Sequence, residues 1–182
     1  MGRRSPSGNW FAAAFIAGVW LVAKRLVMLV EDNPNDAVLI ERALRTGGVT
    51  NPIFQAKDGL DALHYLFATG RYEDREPIEM PAVVLIDLNL PNMDGLELLR
   101  RMRADYRTKL VPIVIFTGSS DEQNLINGYS MGANSYVRKP TDSDEFARIV
   151  ERLVSYWIEL NEAPPPGQRT WAHHFGMGGI SA

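Results

Sequence analysis

Five short apolar runs, each followed by a stretch of helical periodicity, constrain this chain more than any other feature. The runs Leu26–Val30, Pro52–Ala56, Ala82–Ile86, Val111–Phe116 and Asn134–Val137 all have strand length. Ala82–Ile86 is continuously apolar, which predicts a strand buried on both faces. Pro112 must stand near the beginning of its strand, since it has no N–H for a ladder. Between the runs, apolar residues recur at helical spacing: Ala37, Ile40, Ala43 and Leu44; Leu60, Leu63 and Phe67; Leu96, Leu99 and Met102; the stretch Asp121 to Met131; and Phe146, Ile149, Val150, Leu153, Trp157 and Leu160. Asn33 before Pro34 reads as an N-cap followed by proline at the first helical position. Gly47–Gly48, Gly70 and Gly132 mark helix ends. Strand and helix alternate five times, with no repeat of solenoid period. That predicts an α/β fold: a doubly wound, five-stranded parallel sheet with helices on both faces.

The 182 residues suffice for one domain with its own core and are too few for two of ordinary size. Three regions are expected: an apolar N-terminal extension at 1–23, the repeating domain at 24–161 and a tail at 162–182, whose Ala163-Pro-Pro-Pro-Gly167 reads as loose. The apolar run 10–23 would span only about 21 Å as a helix at about 1.5 Å per residue, short of the roughly 20 residues a bilayer needs. It is read first as a segment packing on the domain or an upstream extension. A membrane-surface anchor is the second reading and an export signal the third. Arg71 to Pro81, charged and with two prolines, reads as a solvated loop. A net charge of −3 argues against nucleic acid as a partner through bulk charge. With no cysteine, thiolate metal sites, disulfides and cysteine nucleophiles are excluded, and a cytoplasmic location is the expectation.

In open parallel sheets, ligands bind at the carboxyl ends of the strands, where the winding reverses. Glu31 and Asp32 follow the first strand, Asp87 ends the third, Thr117 ends the fourth, and Lys139-Pro140 follows the fifth. Clustered carboxylates repel unless a cation joins them, and hard oxygen donors point to Mg²⁺. An aspartate can attack phosphorus to give an acyl phosphate, and phosphoryl transfer needs chiefly positioning and charge neutralisation. Taken singly, each residue has a plainer reading. Glu31 or Asp32 could favour a helix dipole, Asp87 and Thr117 could serve turns, and Lys139 could be a solvated charge. Their joint placement at one edge is the argument. His173-His174 on the tail reads as incidental, and His64 as a helix-surface residue.

The segments Leu29-Val-Glu-Asp-Asn-Pro34, Leu85-Ile-Asp-Leu-Asn-Leu-Pro-Asn-Met-Asp-Gly95, Ile115-Phe-Thr-Gly118, Gly132-Ala-Asn-Ser-Tyr136 and Val137-Arg-Lys-Pro140 resemble, in order and spacing, the response-regulator receiver domains of two-component signalling. The resemblance covers residues 25 to 160. It implies a CheY-like fold with strand order 2-1-3-4-5. It implies Asp87 as phosphoacceptor and Mg²⁺ held by Glu31, Asp32, Asp87 and the Asn89 backbone carbonyl. Thr117 and Lys139 would contact the phosphoryl group, Tyr136 would be the switch aromatic, and Lys139–Pro140 would be a cis bond that fixes position. Such a domain is a switch on itself rather than an enzyme with a diffusible substrate. Its output would be a changed surface on the fourth helix, fifth strand and fifth helix. Arg71–Pro77, Asp142–Phe146 and Ser155–Ile158 resemble a subgroup of stand-alone regulators that partner phytochrome-type histidine kinases. A histidine kinase, of the bacteriophytochrome kind, and a second copy through that same face are the implied partners. An aspartate-based phosphohydrolase of the haloacid-dehalogenase type would want an acid at position 89, where this chain has Asn89. A receiver that binds partners without phosphorylation would not need the intact set.

Overall fold

The computed structural model describes residues 15–16, 19–20, 25–74 and 80–162. Its main sheet has five strands: β1 (Val27–Val30), β2 (Ile53–Ala56), β3 (Val83–Ile86), β4 (Ile113–Thr117) and β5 (Ser135–Arg138). All pair in parallel in the order β2-β1-β3-β4-β5, as expected. The helices are α1 (Pro34–Thr46), α2 (Gly59–Phe67), α3 (Gly95–Ala104), α4 (Glu122–Ser130) and α5 (Ser143–Ser155).

Side chains alternate across the pleat with a period of two, so each central strand feeds two cores. Val27, Leu29, Val83, Leu85, Val114 and Phe116 face Ile40 and Leu44 of α1 and Phe146, Val150 and Val154 of α5. Met28, Val30, Val84, Ile86, Ile113 and Ile115 face α2 and α3 through Leu63, Leu98, Leu99 and Met102. Burial on both faces is why these runs carry no polar alternation.

Every helix begins at the carboxyl edge of the sheet with an Asn or Asp cap. Asn33 accepts from Asn35 N at 3.0 Å, Asp58 from Asp61 N at 2.7 Å and Asp94 from Glu97 N at 2.8 Å. Asp121 accepts from Gln123 N at 2.8 Å, and Asp142 from Glu145 N, also at 2.8 Å. Each cap is worth about 1 kcal/mol, and each consumes an acid or amide that could otherwise have joined a site.

The fifth helix departs from expectation. Its α-helical part ends at Ser155, and Tyr156–Leu160 form a π-turn closed by Asn161 N donating to Tyr156 O at 2.8 Å. The wider turn keeps Trp157 in the core and swings Leu160 off the apolar stripe, 73% exposed. Trp157 is buried, and its indole Nε1 has no hydrogen-bond partner. The charged segment after α2 begins with a 3₁₀ turn, Gly70–Tyr72, and residues 75–79 lie outside the described residues.

Two short strands, Phe15–Ile16 and Val19–Trp20, pair antiparallel apart from the main sheet. The rest of 1–24, and 163–182 with His173-His174, also lies outside the described residues. Among the described residues no helix is long and apolar enough to cross a membrane.

Candidate functional site at the carboxyl edge of the sheet

The order β2-β1-β3 reverses the direction of winding between β1 and β3, which leaves a crevice above their carboxyl ends. Glu31 follows β1 and Asp87 follows β3, so the backbone register alone sets them side by side. Thr117 closes β4 and Lys139 leaves β5. Glu31, Asp87 and Thr117 are buried.

Lys139 binds the cluster together. Its Nζ donates to Glu31 Oε2 at 2.6 Å, Asp87 Oδ2 at 2.7 Å and Asp36 Oδ2 at 2.8 Å. An ammonium has three hydrogens, so these acceptors use its whole capacity. The second oxygens of the two buried acids turn to backbone: Glu31 Oε1 accepts from Asn33 N at 3.1 Å, and Asp87 Oδ1 from Asn89 N at 3.2 Å. The Thr117 hydroxyl accepts weakly from Ser119 N at 3.3 Å and acts on Asp87 as a polar neighbour that lowers its pKa.

The two buried acids titrate in opposite directions. Burial pushes the Glu31 carboxyl up, and the Lys139 ammonium offsets that only in part. Burial acts on Asp87 in the same sense, but the bonds and charge of Lys139, with Thr117 and the Asn89 N–H, overcome it and hold the carboxyl below the ordinary range. For Lys139, burial disfavours the charge, and the three carboxylates more than reverse it, so the ammonium is held above its ordinary range. Asp87 is therefore an ionised carboxylate at neutral pH, held in place by these bonds.

Asp32 is exposed at the mouth and makes no hydrogen bond or ion pair among the described residues. Asn89 is also exposed, and its loop is pinned on both sides. Asn92, in the left-handed region at φ 61°, donates from Nδ2 to the Asp58 carboxylate at 2.7 Å. On the other side, a methyl at Gly95 would collide with the Asp87 carbonyl, so α3 packs directly on the backbone that carries Asp87. Tyr136 lies partly buried on β5 with its ring against Gly128 of α4. Its hydroxyl is buried without a hydrogen-bond partner, and burial pushes the phenol up.

One expectation is corrected. The Lys139–Pro140 bond is trans, as are all peptide bonds among the described residues. Trans is the lower-energy form of an X–Pro bond by about 0.5–1 kcal/mol, and Lys139 reaches all three carboxylates with the bond in that form. One residue was missed. Asp36, in the first turn of α1, reads from sequence as an acid favoured by the helix dipole. Its partner lies 103 positions away, and the only available signal was that this turn rises from the same edge as Glu31.

Of the carboxylates Glu31, Asp32, Asp36 and Asp87, the Lys139 ammonium pairs with three, which leaves negative charge in surplus around it. The donors are hard oxygens, and that chemistry fits a hard divalent cation. Among the described residues no three carboxylates or histidines are arranged to hold a metal ion by themselves; the three that converge do so on Lys139.

The family model for the response regulator receiver domain matches residues 27–151. The probable methanogenesis regulatory protein FilR2 of Methanothrix harundinacea is 37% identical over 141 residues, covering 78% of this chain and 88% of FilR2. Response regulator Rcp1 of Synechocystis is 31% identical over 140 residues, 77% of this chain and 93% of Rcp1. The crystal structure of its Mn²⁺-bound form superposes with a TM-score of 0.71 at 30% identity, covering 78% of this chain and 99% of that one. The phosphorylated cyanobacterial phytochrome response regulator RcpA superposes with a TM-score of 0.73 at 31% identity, over 79% of this chain and all of RcpA. A receiver sheet with its acids, hydroxyl and lysine at one edge, a model match over two thirds of the length, and relatives matched over nearly their whole lengths lead to one conclusion: the chain belongs to the response-regulator receiver family.

Proposed function

We propose that this receiver is a phosphorylation switch in which Asp87 takes a phosphoryl group from a histidine kinase. One observation carries the reading: Asp87 is a buried carboxylate held ionised, with a lysine ammonium on one oxygen and a threonine hydroxyl beside it, at the reversal point of the sheet. In the transfer, an Asp87 oxygen forms a bond to phosphorus as the bond from phosphorus to the donor's histidine nitrogen breaks. The leaving imidazole regains its proton from solvent. Lys139 offers its positive charge to the incoming phosphoryl oxygens, and Thr117 a hydrogen-bond donor.

Mg²⁺ would be held by Asp32, Asp87, Glu31 and the Asn89 carbonyl. When bound it supplies the positive charge that lets an anionic donor approach a cluster of carboxylates. The Mn²⁺ in the Rcp1 structure supports a divalent cation in such a site. The likeness to RcpA, a cyanobacterial phytochrome response regulator, supports a kinase of the phytochrome type, whereas the FilR2 match bears on the family alone; a cytoplasmic setting is part of the same proposal. The protein would act on itself rather than turn over a diffusible substrate. Its readout would be the α4–β5–α5 face, where Ile126 and Tyr129 stand exposed and where a second copy would dock.

Intact-mass measurement after exposure to acetyl phosphate, with and without Mg²⁺, tests this reading. A single phosphoryl adduct that requires Mg²⁺ and disappears in Asp87→Asn is the expected result. A folded wild-type protein that takes no adduct at saturating donor and Mg²⁺ would point instead to a receiver working without phosphorylation.

A further inference from the structure

Asp36 stands outside the residues on which the family resemblance rests, yet it takes one of the three hydrogens of the Lys139 ammonium at 2.8 Å. The helix it belongs to does not explain this. Asp36 is the third residue after the Asn33 cap, a position from which an acid usually reaches back to the N–H of the cap residue. Here that N–H is taken by Glu31 Oε1 at 3.1 Å, and Asp36 is turned toward β5 instead. Pro34 and the Asn33 cap fix the turn that carries it.

The count of acceptors gives the contact a role. Before transfer, Lys139 is bonded to Glu31, Asp36 and Asp87. Once an Asp87 oxygen is joined to phosphorus, that carboxylate loses its charge and accepts a hydrogen bond more weakly. One hydrogen of Lys139 is then free to move to a phosphoryl oxygen. Lysine is a compact charge on a flexible four-carbon stem, so a single remaining partner would not hold it to a point. Glu31 from below and Asp36 from α1 hold it between them.

Building on the phosphoacceptor reading above, we infer that Asp36 is a positioning residue: it anchors the Lys139 ammonium over Asp87 so that the one bond exchanged during transfer is the bond to Asp87. Asp36 itself does not touch the reacting atoms. At 26% exposed, Asp36 is the most accessible of the three carboxylates bonded to Lys139.

The test compares wild type with Asp36→Ala and Asp36→Glu in two measurements. The first is the rate of adduct formation as a function of acetyl phosphate concentration at fixed Mg²⁺. Asp36→Ala should lower the maximal rate by roughly tenfold, the scale of one charge-assisted hydrogen bond. The half-saturating donor concentration should stay within about twofold, and Asp36→Glu should recover most of the rate. The second is the ¹H–¹⁵N signal of the Lys139 ammonium, with no donor present. It should be visible in wild type and in Asp36→Glu, and lost to solvent exchange in Asp36→Ala. A Lys139 signal unchanged in Asp36→Ala overturns the inference, as does a folded Asp36→Ala with the wild-type maximal rate. If wild type forms no adduct, the phosphoacceptor reading fails, and the ammonium signal alone then decides whether Asp36 anchors Lys139.

Discussion

The two edges of the sheet both carry buried or half-buried polar side chains, and they use them in opposite ways. At the amino edge, the polar groups are spent mostly on backbone. Asn51 Nδ2 donates to Arg25 O at 2.7 Å, Thr108 Oγ1 to Met102 O at 2.7 Å, and Arg45 to Val49 O and Asn51 O. Arg103 donates to Gly132 O, Lys109 O and Val111 O and to the Asn134 side chain, tying the end of α3 to the loops flanking β4. At the carboxyl edge, side chains bond one another across the sheet, and three carboxylates share one lysine. The first edge closes loops onto side chains that bond mostly to backbone carbonyls. The second holds charge that its own residues do not neutralise, a surplus that costs stability and is typical of a functional site.

The largest test of this contrast is Lys139→Met. Removing the ammonium leaves Glu31 and Asp87 buried without their partner, so urea denaturation should show a loss of about 3–5 kcal/mol, part of it recovered on adding Mg²⁺. Arg103→Met at the other edge strands several backbone carbonyls and should cost about 1–3 kcal/mol, with Mg²⁺ recovering none of it and the rate of adduct formation unchanged. Smaller again is Asn92→Gly. Glycine keeps the left-handed backbone but loses the bond to Asp58, for about 0.5–1.5 kcal/mol. Because the Asn89 loop is then less firmly held, a weaker response to Mg²⁺ in the same denaturation assay should accompany it.

The smallest effect lies outside the Lys139 cluster, in acid. Glu97 is held down to about 2 by Arg100 and Arg101. A depressed folded value means its contribution is complete above the ordinary carboxylate value of 4.5 and is lost as pH falls from there toward about 2. Glu97→Gln should flatten the stability profile in that window and leave it unchanged at neutral pH. Asp87, also depressed, acts in the same sense. Glu31 is raised, so its contribution is present below the ordinary value and is lost as pH rises through the raised one.

What was legible in the sequence follows from which interactions are local. Five apolar runs between glycine and proline punctuation were enough for the sheet: the three central strands are buried on both faces and so read as continuous apolar runs, and the half-buried edge strands, with Gln55, Ser135 and Arg138, gave the weaker signals. Asn33-Pro34 was enough for the start of α1. The sites of Glu31, Asp87, Thr117 and Lys139 were legible because each ends or follows a strand, and parallel topology gathers such ends. Asp36 was not, since it sits within a helix and its partner is distant in sequence. The π-turn at Tyr156–Leu160 was hidden because the apolar stripe runs through it unbroken as far as Leu160. The trans bond before Pro140 ran against the expectation carried by the family resemblance, and no local residue pattern announced it.

The contrast between the edges comes down to whether the carboxyl edge takes up a cation that the rest of the fold does not. Thermal midpoints measured across a Mg²⁺ titration decide this, for wild type, Asp32→Asn and Arg103→Met. Wild type should rise with Mg²⁺ and saturate, as binding to the folded state alone requires. Arg103→Met should rise by the same increment from a lower start, and Asp32→Asn by much less than half of it. An equal rise in all three proteins, or no rise in any, would contradict the account.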